Sequence, residues 1–159
     1  MGNTRGFPRT RVYNPRAMPT DRKIYLVSCV AKKRPSPSRA KHLYDSPWFH
    51  LARQYAESTA SPWFILSAKY GLLDPDQTIG PYEQTLNKMP VADRKAWADR
   101  VRDQLDRYLQ DVRQVVFLAG ARYREFLADR LRQRGIQVEI PMSGLTIGRQ
   151  LQWLKNHIS

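Results

Sequence analysis

The sequence predicts an α/β fold, a three-layer sandwich around a central, mostly parallel sheet of four strands or slightly more. Three observations predict it. Four short apolar runs rich in branched and aromatic residues read as buried strands: KIYLVSC (23–29), WFIL (63–66), QVVFL (114–118) and IQVEI (136–140). Each is followed by a segment with helical spacing, and crossovers of this length join parallel strands. Each also gives way to small residues, namely Ser28-Cys29, Ser67 to Gly71, Ala119 to Ala121 and Ser143 to Gly148. Small residues at strand ends and helix starts let backbone N–H groups approach a ligand, and open α/β sheets bind at that rim.

Taken in order, residues 1–22 hold three prolines, two glycines and five arginines with no apolar period. They read as a flexible basic arm, followed by a single α/β domain over 23–159. Phe7 and Tyr13 sit among the arginines, so base stacking in a bound state and a tail without fixed role both remain open. The first strand, 23–29, brings Ser28 and Cys29 to the rim. Cys29 reads either as a small buried hydrophobe or as a thiolate activated by Lys32 and Lys33. Residues 31–41, AKKRPSPSRAK, carry five basic groups and two prolines and are expected to form neither strand nor helix. They read as a phosphate-gripping lid or as a mobile, solvated insert.

Asp45-Ser-Pro starts a helix by placing a capping side chain before a proline in the first turn. Its Trp48, Leu51, Ala52 and Tyr55 are expected to face the sheet. The second strand opens into a polar loop bearing Lys69, Tyr70, Asp74, Asp76, Tyr82 and Glu83. Pro90 opens a long helix to about residue 110, with Trp97, Val101, Leu105 and Tyr108 along its stripe. The third strand, 114–118, leads to a helix carrying Tyr123, Phe126, Leu127 and Leu131 and stopped by Gly135. After the fourth strand, a last helix places Ile147, Leu151, Leu154 and Ile158 on one face.

Charge is the strongest global clue. The chain has 27 Lys and Arg against 14 Asp and Glu, a net +13. Residues 1–41 alone hold eleven basic groups and one acid. Such a field attracts a polyanion. Nucleic acid is the expected partner, DNA before RNA, with Arg9, Arg11, Arg16, Lys32, Lys33, Arg34, Arg39 and Lys41 as its contacts. The arm lacks the apolar face that a membrane surface requires. No apolar run approaches the ~20 residues of a membrane span, and no secretory leader is visible. A lone cysteine and three scattered histidines argue against a structural metal. None of the rim segments has a phosphate-loop or dinucleotide glycine pattern, so no cofactor is expected. The expectation is a cytoplasmic protein.

Four segments carry a resemblance: SCVAKKR, HLYDSPWF, WFILSAKYGLLDPDQTIGPYEQTLN and GLTIGRQLQWL. Together they resemble a bacterial family of unknown function over about residues 23–155. The block SAKYGLL…PYEQTL is also similar to one in the YaaA-like peroxide-stress family. That resemblance implies DNA binding, protection from oxidative DNA damage, and kinship with base-excising or base-exchanging enzymes. It implies functional positions at Ser28, Lys32, Lys33, Tyr44, Ser67, Lys69, Tyr70, Gly71, Pro81, Tyr82, Glu83 and Gly148. The arm 1–22 departs from that family's core, and YaaA's additional DNA-binding segment has no counterpart here.

Three functions are compatible with these residues. The first is an enzyme that cleaves an N-glycosidic bond in DNA, with catalytic roles for Lys69, Glu83 and Asp76. Tyr70 or Tyr82 would stack an extruded base, and Glu83, Asp74 or Asp76 would serve as the carboxylate. Lys69 would hold a phosphate or attack the sugar carbon. Ser28, Cys29, Ser67, Gly71, Tyr44 and Gly148 would complete the substrate site. The second is a non-catalytic nucleic-acid-binding protein, and the third an enzyme of free nucleotides or nucleosides.

Overall fold

A computed structural model describes residues 22–28 and 32–158. The elements run β1 (Lys23–Ser28), β2 (Ser38–Arg39), α1 (Ala40–Leu43), α2 (Pro47–Ser58), β3 (Trp63–Ser67), β4 (Gly71–Leu73) and β5 (Thr78–Ile79). They continue with α3 (Val91–Leu105), β6 (Gln114–Leu118), α4 (Ala121–Gln133), β7 (Gln137–Glu139) and α5 (Ile147–His157). The fold is α/β, with a five-stranded sheet in the order β4-β3-β1-β6-β7. β3, β1, β6 and β7 are parallel, and β4 closes one edge antiparallel to β3.

The apolar strand runs are continuous because both faces of the sheet are covered. Ile24, Leu26, Phe64, Leu66 and Phe117 point to one face, where Trp97 and Val101 of α3 and Leu127 and Leu131 of α4 meet them. Tyr25, Val27, Ile65 and Leu118 point to the other, against Leu43, Phe49, Ala52 and Leu154. Leu26 has no exposed surface. Burying a leucine contributes roughly 1.5–3 kcal/mol, and truncating one to alanine costs about 2–5 because a cavity remains.

Three local expectations are corrected. In α2 the buried residues are Phe49, Ala52 and Ala56, while Trp48, Leu51 and Tyr55 are half-buried. The helix packs on α5 as well as on the sheet, with the Tyr55 ring edge-on to Trp153 at 5.2 Å. Two apolar arcs are therefore in use, and spacing alone does not tell which neighbour each arc meets. In α5, Leu154 is buried, but Ile147 is 64% exposed.

The third correction concerns residues 32–41, which are folded and docked. Ser38 and Arg39 pair antiparallel with Ile79 and Thr78, and α1 starts at once. The amides of Ala40 and Lys41 donate to the carbonyls of Gln77 and Pro75 at 2.8 and 2.9 Å. The prolines stop short of the ladder, so they cost it no donor. The basic segment and the acidic loop after β4 thus hold each other in place.

Candidate functional site at the carboxyl rim

The order of the parallel strands reverses its winding at β1. The chain leaves β1 through α2 on one face and leaves β6 through α4 on the other. Ligands of open α/β sheets sit at such a switch point, outside the carboxyl ends of the strands. The rim here begins with the turn after β3, passes Ser28 at the end of β1, and reaches Ala119-Gly120 after β6.

The turn Ala68-Lys69-Tyr70 joins β3 to β4, and Gly71 closes it in the left-handed region at φ 77°. Ser67 is fully buried. Its Oγ accepts from the amides of Lys69 and Tyr70 at 3.2 and 3.0 Å, and its carbonyl accepts from the Trp97 indole at 2.9 Å. Gln104 of α3 supports the far side by donating to the Tyr70 carbonyl and accepting from the Leu72 amide. Ser67 and Gly71 therefore position the turn from within.

Three tyrosines far apart in sequence meet beside this turn. The hydroxyls of Tyr44 and Tyr82 lie 2.8 Å apart, and the Tyr70 ring is edge-on to Tyr82 at 5.6 Å. The Lys33 ammonium stands 4.5 Å from the centre of the Tyr82 ring and 5.7 Å from that of Tyr44. Lys69 places its ammonium 5.1 Å from the Tyr70 ring. Among the described residues neither ammonium has a carboxylate partner. Both cations are held by π faces, which leaves their charge available to an anion. Tyr82 is 8% exposed and offers a base little free face, whereas Tyr70 is half-buried.

The three carboxylates of the loop are in different states. Asp76 lies 2.7 Å from the Lys41 ammonium and 3.7 Å from the Arg39 guanidinium. The hydrogen bond from Lys41 holds its carboxyl below the usual range, assisted by the charges of Lys41 and Arg39. Asp74 accepts the Asp76 amide at 2.8 Å. Glu83 is exposed and has no ion pair among the described residues. Lys32 and Arg34 are exposed on the segment before β2. Arg9, Arg11, Arg16 and Cys29 lie outside the described residues.

A carboxyl whose pKa is depressed on folding stabilises the fold above its unfolded value of ~3.9, and that contribution disappears as pH falls through the folded value. The contact of Asp76 with Lys41 is therefore expected to stay intact near neutral pH and to loosen in acid. Amide exchange at Ala40 and Lys41, corrected for intrinsic rates, is the measurement. Acid-insensitive protection there, or protection unchanged in Asp76→Asn, would show that the clamp does not depend on this charge.

In the second part of the rim, the small residues expected there, Ser28 and Ala119 to Ala121, are joined by side chains that were not expected. Between the ends of β1 and β6 lies a crevice of about 250 Å³, with Ser28, Trp48, Gly120, Arg124, Ile147 and Gln150 among its walls. The Ser28 Oγ accepts from the Gly120 amide at 3.3 Å. Arg124 donates from Nε to the Ala119 carbonyl. Arg124 and Gln150 escaped sequence reasoning because each sits on a helix, where a polar residue reads as solvated surface. The available signal was their position in the first turns after Gly120 and Thr146. Gly148 is exposed at the start of α5, and a Cβ there would meet no atom within 4 Å. A larger hollow of about 580 Å³ lies at the opposite, amino-terminal edge, beside Arg22, Pro62 and Tyr108.

Among the described residues, no three His, Cys, Asp or Glu side chains are grouped to hold a metal ion. Nor is any described helix long and apolar enough to cross a membrane.

Residues 24–156 match a family described as of unknown function, DUF6884. A protein of Bacillus subtilis (strain 168), named uncharacterized protein YfjM, is 32% identical over 114 residues, which cover 67% of this chain and 75% of the relative.

Proposed function

This chain belongs to the DUF6884 family of unknown function, and we propose that it binds nucleic acid along the carboxyl rim and cleaves an N-glycosidic bond there, releasing a base from DNA. The observation that carries this reading is the pair of ammonium groups, Lys33 and Lys69, held over tyrosine rings without a carboxylate partner among the described residues. Cations kept in this way suit the phosphates of a nucleic acid. The likeness of the SAKYGLL…PYEQTL block to YaaA-like proteins points the same way.

In the reaction, a water oxygen bonds to the sugar C1′ and passes its proton to a carboxylate. The base leaves with the electron pair of the broken C–N bond and takes up a proton. We assign the carboxylate to Glu83, because Lys41 and Arg39 occupy Asp76, and a lowered pKa makes Asp76 the weaker base. Lys69 holds the phosphate that flanks the scissile nucleotide.

The test is a panel of duplexes carrying uracil, hypoxanthine, 8-oxoguanine or 3-methyladenine, scored for alkali-labile abasic sites. One substrate is expected to yield them, and Glu83→Gln is expected to slow base release by about 10²–10⁴-fold, the usual share of a positioned proton acceptor. An unaffected rate in that variant removes Glu83 from the mechanism. Absence of release from every duplex favours a second reading, a binding protein without turnover. The mutual hydrogen bond of Tyr44 and Tyr82 supports that alternative, since it gives two buried phenols a structural role.

A further inference from the structure

We propose that the extruded base is received in the crevice between β1 and β6, against Trp48 and Ile147 and above Gly120, rather than between Tyr70 and Tyr82. This rests on the nucleic-acid reading above and names the seat of its substrate.

Topology places the crevice where the sheet reverses its winding, the position at which doubly wound sheets take their ligands. Its volume of about 250 Å³ lies below the ~300–1,000 Å³ typical of sites for drug-sized molecules, so it suits one ring system rather than a stacked pair. Its walls suit a flat, partly polar ring. The Trp48 indole donates to Gln150 Oε1 at 2.9 Å, and Gln150 Nε2 donates to the Leu145 carbonyl at 2.9 Å. That chain fixes the aromatic wall before any ligand arrives. Ile147 leaves 64% of its surface open to solvent and packs in neither core cluster.

Two further features point outward from the crevice to a nucleotide. The Arg124 guanidinium uses Nε on the Ala119 carbonyl, and its remaining N–H groups have no carboxylate among the described residues. They are available to a phosphate next to the extruded base. Gly120 is the other. Its φ of −67° and ψ of 163° are open to any residue, and a Cβ built on it would meet no atom within 4 Å. Neither conformation nor packing calls for glycine there, and as a helix cap it is weaker than asparagine. Close approach of a ligand gives the missing side chain a purpose.

The probe is a duplex containing 2-aminopurine opposite a mismatched base, whose fluorescence rises when the base leaves the stack. The wild-type protein is expected to bind the duplex and raise the fluorescence. Gly120→Asn keeps the cap and fills the crevice. Ile147→Ser changes an exposed side chain that the core does not need. Both variants are expected to keep duplex affinity within about threefold, because phosphate contacts dominate it, and to lose most of the fluorescence rise. A wild-type rise in both variants overturns the proposal, as does binding without any rise in the wild type. So does joint loss of affinity and signal, which would make the crevice a general contact. Failure of the wild type to bind the duplex overturns the nucleic-acid reading as well.

Discussion

Gly71→Ala is expected to lower stability by about 3–4 kcal/mol, the sum of left-handed strain of roughly 1–2 and two broken hydrogen bonds of about 1 each. The glycine closes the turn after β3 at φ 77°, and a Cβ there would lie 2.3 Å from Gln104 Oε1. Gln104 would have to swing away, releasing the Leu72 amide and the Tyr70 carbonyl. For a chain of this size that is a fall of about 10 °C in melting temperature. The double variant Gly71→Ala/Gln104→Ala separates the causes. With the clash removed, it should cost less than the sum of the two single changes, since residues in contact are not additive. A melting temperature unchanged in Gly71→Ala would mean that the turn is not built as described. The consequence reaches the site, because the same turn carries Lys69 and Tyr70.

The second large effect is on salt dependence. Binding to a short duplex should weaken steeply as salt rises. Replacing Lys32, Lys33 and Lys69 together with alanine should flatten the slope of log K against log salt by about 2.7, or ~0.9 for each phosphate that is no longer neutralised. At moderate salt that corresponds to a drop of more than about tenfold in affinity. The three side chains lie on exposed or half-exposed surface, where substitutions change stability by only about 0.5 kcal/mol. Replacing Arg39 and Lys41 should flatten the slope less, because Asp76 already neutralises part of their charge. A triple variant with the wild-type slope would show that nucleic acid, if bound, meets another face. The hollow beside Arg22 at the amino edge is where to look next.

The core was legible because its signals are local. Four apolar runs became parallel strands within a residue or two of their expected limits. Pro90 precedes α3, and Gly135 lies just past the end of α4, as cap chemistry requires. The N-cap of α2 is Ser46, whose Oγ accepts the Phe49 amide at 3.1 Å. The edge strand β4 was not legible. At three residues it is too short to show a period, and its pairing depends on the turn that Gly71 permits. The exposed Ile147 fitted the apolar stripe of α5, and only the position of that helix at the crevice explains why it stays uncovered.

By itself the sequence determined the layers, the four parallel strands, the rim of small residues and the excess of positive charge. All of these follow from side-chain type and near-neighbour spacing. Tertiary structure alone decided which groups meet. It joined Tyr44 to Tyr82 across 38 positions, bound the basic segment to the acidic loop through β2, β5 and Asp76, and opened the crevice between β1 and β6. Contacts of that kind arise from the winding of the chain through the sheet, and no short window of residues encodes them.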